Sequence, residues 1–214
     1  MPEVEYYRQK YALGVADKSN SLRDYNRFLA NSGESHSLEE FISHQLLHAK
    51  TVRVLDVGCG NAGALKELKK EFGEKIFVIG MDLIDFDLAT NKVDEKLIGN
   101  AQELVIPPNL DLVISFRALH EIGELETVLT RIAQSLSPLG IALLSVRLHD
   151  VTSKKSSFSG SITKKDEEFL VKIGGKNYWM DCKVKAKMAS IASPVDPKQT
   201  IITGIFVKLV KKED

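Results

Sequence analysis

The chain has 214 residues, 43% of them apolar, and its 29 basic and 29 acidic side chains cancel to zero net charge. That length fits one domain with a full core, and a neutral chain has no global pull toward nucleic acid or an anionic membrane. No apolar run approaches membrane-spanning length, the N-terminus MPEVEYYRQK is polar, and Cys59 and Cys182 offer neither a disulfide framework nor zinc-site spacing; the expectation is a cytoplasmic protein without membrane contact.

Residues 1–50 are expected to form a helical cap ahead of a domain spanning 51–214. Glu3 to about Tyr11 and Leu22–Leu29 are amphipathic segments, and Ser37 followed by Glu40 is a capping box opening a helix from Leu38 to about His48. From Thr51 short apolar runs alternate with helical patterns: Val52–Val57 then Ala64–Phe72, Ile76–Met81, Lys96–Ile98, Leu110–Phe116 then Glu124–Leu136, and Ile141–Leu148. Strands that are apolar almost throughout, such as LDLVISF and GIALLSV, suit a parallel sheet covered on both faces. The crossover DFDLATNKVDE is a poor helix and is expected to be short or irregular. Thr163 can cap a helix through Ile173, and two β-branched runs, Tyr178–Ile191 and Thr200–Val210, read as a closing antiparallel pair. The predicted fold class is therefore α/β: a doubly wound, Rossmann-like, mostly parallel seven-stranded sheet with a C-terminal antiparallel strand pair and an N-terminal helical cap.

Chemistry concentrates after the first strand. In VLDVGCGNAG, Gly58, Gly60 and Gly63 form G-x-G-x-x-G between a buried strand and a helix, and Asp82 closes the second strand 19 positions after Gly63. Glycines there allow a sharp turn and close approach of a ligand, and an acid at that distance can accept both ribose hydroxyls. Those features fit several adenosine ligands, NAD among them. Asp56 separates the candidates: a carboxylate about 5 Å from a pyrophosphate would repel it by roughly 3 kcal/mol at an effective dielectric of 20, and attract a cationic ligand equally. S-adenosylmethionine combines adenosine, two cationic centres and no phosphate.

VLDVGCGNAG followed by VIGMDL resembles the first two motifs of the class I S-adenosylmethionine-dependent methyltransferases. The resemblance implies that Asp56 sits near the amino group of the methionine moiety, that Gly58, Cys59 and Gly60 form the turn around the cofactor, and that Asp82, with Leu83 beside it, holds the ribose. GNAQEL (99–104) resembles the third motif, which gives Asn100 the adenine edge and lays Ala101 against the ring. LDLVISFRALHEI resembles the fourth, adding Ser115 to the cofactor set. IAQSLSPLGIALL resembles the family's next helix, turn and strand, and TKKDEEFLVKIGG its late helix before the last two strands. Ala62 stands where glycine is common in the family, and mild crowding is expected there; Leu139 is a second departure of this kind. The implied cofactor is S-adenosyl-L-methionine, with S-adenosyl-L-homocysteine as product.

The acceptor half is less legible. His120, after the fourth strand, is a candidate general base for an acceptor hydroxyl or amine, against the plainer reading that it packs on the cofactor's methionine end. His149-Asp150 is a second pair at the same sheet edge. Nine lysines against four acids in Val151–Ser190 suggest a docking face for nucleic acid, yet they spread over several elements without an aromatic ladder, and a solvated face is the plainer account. Tyr178-Trp179 could line a pocket or fill the core. No Pro-Pro-Tyr follows the fourth strand, which argues against exocyclic amino methylation of DNA bases. The leading expectation is a methyltransferase acting on a small molecule, with Tyr6, Tyr7, Tyr11, Arg23 and Tyr25 as acceptor wall. The alternatives are an S-adenosylmethionine-binding protein without turnover and a methyltransferase acting on RNA or protein.

Overall fold

The computed structural model describes residues 5, 9, 21–85, 93–116, 118–119, 125–147, 182–192 and 201–211. In chain order these form α1 (Leu22–Asn31), α2 (Leu38–Gln45), β1 (Val52–Val57), α3 (Gly63–Phe72), β2 (Ile76–Asp82), β3 (Glu95–Ile98), β4 (Leu110–Ser115), α4 (Leu125–Ser135), β5 (Leu136–Arg147), β6 (Cys182–Ala192) and β7 (Ile201–Lys211). The seven strands make one sheet in the order β3-β2-β1-β4-β5-β7-β6. β1 to β5 are parallel, and β7 enters antiparallel between β5 and β6. The doubly wound sheet with its antiparallel closing pair is thus as expected from the apolar runs. Among the described residues, no helix is long and apolar enough to cross a membrane.

Each face of the sheet has its own core. Leu55, Val57, Ile79, Met81 and Val113 pack with Val128, Leu129 and Ile132 of α4 and with Val207 and Leu209. On the other face Val52, Val54, Val78, Leu112 and Ile114 pack under Tyr25, Phe28 and Leu29 of α1, Phe41 and Ile42 of α2, and Leu65 and Leu68 of α3. Strand alternation places Asp56 in line with Val52 and Val54, on the face that α1 covers.

The N-terminal helices form as their signals imply. Ser21 caps α1 through Asp24 N, and the Ser37–Glu40 capping box is complete. α2 stops at Gln45 rather than near His48, its last turn opening at Leu46–His48. Asn26 joins the two helices, donating to Glu39 Oε2 (2.7 Å) and accepting from Leu38 N (2.9 Å). Lys208 of β7 pairs with Glu34 at 2.9 Å and lies over the Phe41 ring, which ties this layer to the antiparallel end of the sheet.

Two local expectations gain detail. β5 runs from Leu136 to Arg147, but Leu110 pairs with Leu136 and Leu112 with Ile141, so SPLG (137–140) is looped out of the ladder; Leu139 at φ 63° and Gly140 set against Ser137 make the expected turn, which falls inside the strand's span rather than ahead of it. Ala62 adopts the left-handed region (φ 56°, ψ 30°) as N-cap of α3. The departure from glycine there acts on the backbone and not through crowding, because a Cβ disfavours that conformation by about 1 kcal/mol. The expected helices Glu3–Tyr11 and Thr163–Ile173, and the crossover across 86–92, fall wholly or largely outside the described residues.

Candidate functional site

The strand order reverses direction between β1 and β4, and ligands of open α/β sheets sit outside the carboxyl ends of strands at such a point. The chain leaves β1 through Gly58 and folds at once onto the end of β2: Gly58 N and Cys59 N both donate to Met81 O, at 2.8 and 3.1 Å. Gly58 has φ +78°, and a Cβ there would lie 2.1 Å from Ala118 Cβ, so this turn and the segment after β4 require glycine to pack together. Gly60, at φ 55°, donates its N–H to Asp82 Oδ2 at 2.8 Å. Gly63 N, opening α3, is met by Asn61 Oδ1 at 3.1 Å because Ala62 offers no side-chain cap.

Asp82 ends β2 with 7% of its surface exposed. Its Oδ1 accepts from Ile84 N (3.3 Å), its own carbonyl accepts from Gly99 N, and Leu83 N also bonds its carboxyl. Burial raises its pKa above the usual carboxylate range against the opposing pull of these amides. A carboxylate has about four acceptor sites, so the amides orient this one and leave acceptor capacity for hydroxyls.

Asp56 is fully buried. Tyr25, on α1, donates its hydroxyl to Oδ2 at 2.9 Å, while Oδ1 is buried with no hydrogen-bond partner among the described residues. Burial lifts the Asp56 pKa to about 8; the Tyr25 hydrogen bond works to lower it and the nearby Asp82 to raise it further. Burial thus favours the protonated carboxyl in the ligand-free protein, against the expectation of a standing negative charge beside the turn. The site presents an acid with one committed oxygen and one orphan, and a cationic ligand donor would fit it by drawing the acid into its ionised form.

The remaining expected residues divide. Ser115 is buried at the end of β4, and its hydroxyl donates to Val57 O at 2.7 Å, tying the ends of the two central strands together. Cys59 is buried, with its thiol pushed well up by desolvation, in keeping with a small packed side chain. Leu83 is half-buried beside Asp82. Asn100 opens the turn after β3, accepting Gln102 N on Oδ1 (3.0 Å) and Glu103 N and Leu104 N on its carbonyl; Ala101 is buried in the core behind it. Sequence reasoning missed the clamp on that turn: Arg131 of α4 donates through Nη1 to the carbonyls of Gln102 and Leu104. It also placed Tyr25 on an acceptor wall without its bond to Asp56. The spacing of Leu22, Tyr25 and Leu29 was the available signal, since it puts the phenol on the buried stripe of α1. His120, His149-Asp150, Tyr178-Trp179, Tyr6, Tyr7 and Tyr11 lie outside the described residues, as does most of the lysine-rich segment.

Residues 55–144 match the family model described as "Methyltransferase domain". Among curated proteins, the chain is 31% identical over 93 residues to a tRNA (guanine-N(7)-)-methyltransferase of Dictyostelium discoideum, covering 41% of this chain and 33% of that protein. It is 27% identical over 121 residues to a malonyl-[acyl-carrier protein] O-methyltransferase of Priestia megaterium, covering 50% and 44%. The matches thus span less than half of the length of either relative. Among solved structures, the 1,6-didemethyltoxoflavin-N1-methyltransferase of Burkholderia thailandensis, with 1,6-didemethyltoxoflavin and S-adenosylhomocysteine bound, superposes with a TM-score of 0.57 at 14% identity over 98% of this chain and 87% of that one.

Proposed function

The chain carries a methyltransferase domain within the class I S-adenosylmethionine-dependent methyltransferase fold, and on that premise we propose that it transfers the methyl group of S-adenosylmethionine to a small-molecule acceptor. One observation carries the cofactor half: Gly60 N and Asp82 Oδ2 are joined at 2.8 Å in a turn that also brings the orphan oxygen of Asp56 to the same strand ends. In this reading Asp82 holds the ribose, the backbone of Gly58, Cys59 and Gly60 lines the cofactor, Asp56 meets the ammonium, and Leu83, Asn100 and Ala101 border the adenine. Ser115 acts indirectly, by fixing the end of β4 against β1. Bound there, S-adenosylmethionine supplies an already activated methyl carbon. The protein's share is alignment and exclusion of water, which can contribute about 7–11 kcal/mol.

Residues 1–50 form the acceptor-side cap of the domain at 51–214, and His120 is the candidate base for an acceptor that must lose a proton. Zero net charge and the small acceptor bound by the Burkholderia thailandensis protein favour a small molecule over a polyanion. The similarity to a tRNA methyltransferase favours a second reading, an RNA acceptor, which predicts binding that weakens steeply with salt.

Calorimetry with S-adenosylhomocysteine tests the cofactor assignment. Micromolar-range binding is expected, weakened at least about 30-fold by Asp82→Ala, which removes charge-assisted hydrogen bonds to the ribose. No heat at millimolar ligand would end the assignment. Consumption of S-adenosylmethionine against pools of metabolites, peptides and RNA then separates the acceptor classes, and no turnover with any pool would favour a binding protein.

A further inference from the structure

Tyr25 is held from three directions. Its helix is capped by Ser21 and cross-linked to α2 through Asn26, its ring meets Phe116 edge-on at 4.9 Å, and its hydroxyl reaches Asp56 Oδ2 at 2.9 Å. Phe116 directly follows Ser115, and Phe28, one turn along α1, also packs on it at 4.7 Å. The phenol therefore cannot swing away without unpacking the aromatic cluster. Its bond commits one oxygen of Asp56 and leaves the other buried without a partner among the described residues.

The chemistry of the donor matters here. A lysine or arginine in place of Tyr25 would fix the same carboxyl, but its charge would repel an incoming cation. A phenol fixes the carboxyl while remaining neutral. The other titratable groups that act on the pair, Asp82 and Cys59, are acids, so neither competes with a cation for Asp56.

We propose that Tyr25 is a positioning residue for the ammonium end of the cofactor: it holds Asp56 by Oδ2 so that Oδ1 accepts from the ligand's amino group. This rests on the cofactor reading above and assigns to α1 a role in recognising the donor, beyond walling an acceptor pocket. The phenol also supports ionisation of Asp56, which an arriving ammonium requires, because its hydrogen bond stabilises the carboxylate.

Two ligands isolate the effect. S-adenosylhomocysteine carries the amino group, and 5′-methylthioadenosine shares its adenosine and sulfur but has no aminocarboxyl end. Calorimetric titration of both into the full chain, Tyr25→Phe, Asp56→Asn and the double variant, with a thermal melt of each, gives the comparison. Tyr25→Phe keeps the ring and its packing. It should weaken S-adenosylhomocysteine about tenfold or more and leave 5′-methylthioadenosine within about twofold. Asp56→Asn, which leaves α1 untouched, should show the same selective loss, and adding Tyr25→Phe to it should produce no further selectivity. Equal weakening of both ligands by Tyr25→Phe would make the residue merely structural and overturn the proposal, as would unchanged S-adenosylhomocysteine binding. If the unmodified chain binds neither ligand, the cofactor reading itself fails and this inference with it.

Discussion

Asp56→Asn should make the ligand-free protein more stable at pH 8 and less stable at pH 4. The folded pKa is about 8 against 3.8 for the ordinary side chain, and the cause is burial. An acid whose pKa is raised on folding keeps a proton that the unfolded chain releases, so its contribution is fullest below about pH 4 and is lost as pH rises toward 8. Each pH unit in that window is worth about 1.4 kcal/mol, so the interval from pH 5 to pH 8 removes on the order of 4 kcal/mol. That is a large share of the 5–15 kcal/mol typical of a domain. Asparagine has no proton to lose, but its buried amide group lacks the second partner that Oδ1 also lacks, a penalty of about 1–3 kcal/mol at every pH. The two curves should therefore cross between about pH 4.5 and pH 6. Asp82, raised in the same direction by burial, leaves a shallower residual slope of the same sign in the variant. Urea denaturation at half-unit pH steps measures this directly, and the melting temperature of the unmodified protein should fall by about 8–16 °C across the window. Parallel pH profiles for the two proteins, or a variant less stable at both ends, would refute the assignment of a buried, protonated acid.

Gly58→Ala should destabilise by at least about 2–3 kcal/mol in denaturant titration and abolish S-adenosylhomocysteine binding, because its Cβ meets Ala118 Cβ at 2.1 Å and φ is +78°. A soluble, ligand-binding alanine variant would refute that packing. Ala62→Gly is the converse case: relief of the left-handed strain at φ 56°, less a little buried methyl surface, should raise stability by about 0.5–1 kcal/mol. Arg131→Leu frees the carbonyls of Gln102 and Leu104 and should raise KM for S-adenosylmethionine about tenfold with kcat within about twofold, Arg131→Lys recovering part of the loss. An equal fall in kcat would show that the clamp supports more than the adenine turn.

The features legible in the sequence are those set by short-range forces. Strands covered on both faces write themselves as unbroken apolar runs, and the turn at Gly58–Gly60 with Asp82 at the next strand end is a local pattern whose members lie within one crossover unit. The turn at SPLG (137–140) was legible because Pro138 and Gly140 are local turn signals, whereas Leu136 ahead of it joins β5 only through its pairing with Leu110, some 26 residues away. Ser115 was legible as the small residue ending β4, but not the use of its hydroxyl, which donates to Val57 O, 58 residues distant in the chain. Asp56 shows where a local pattern runs out. In the sequence it reads as a standing charge that repels pyrophosphate, whereas burial in the ligand-free fold favours its protonated form. Its charge state is a property of packing, set by desolvation and by a phenol 31 residues upstream. The preference for an ammonium survives only through ionisation: an arriving cation favours the carboxylate, whose free oxygen then gains both a hydrogen bond and a counter-charge, whereas a phosphate could at most accept from the protonated acid and would oppose its ionisation.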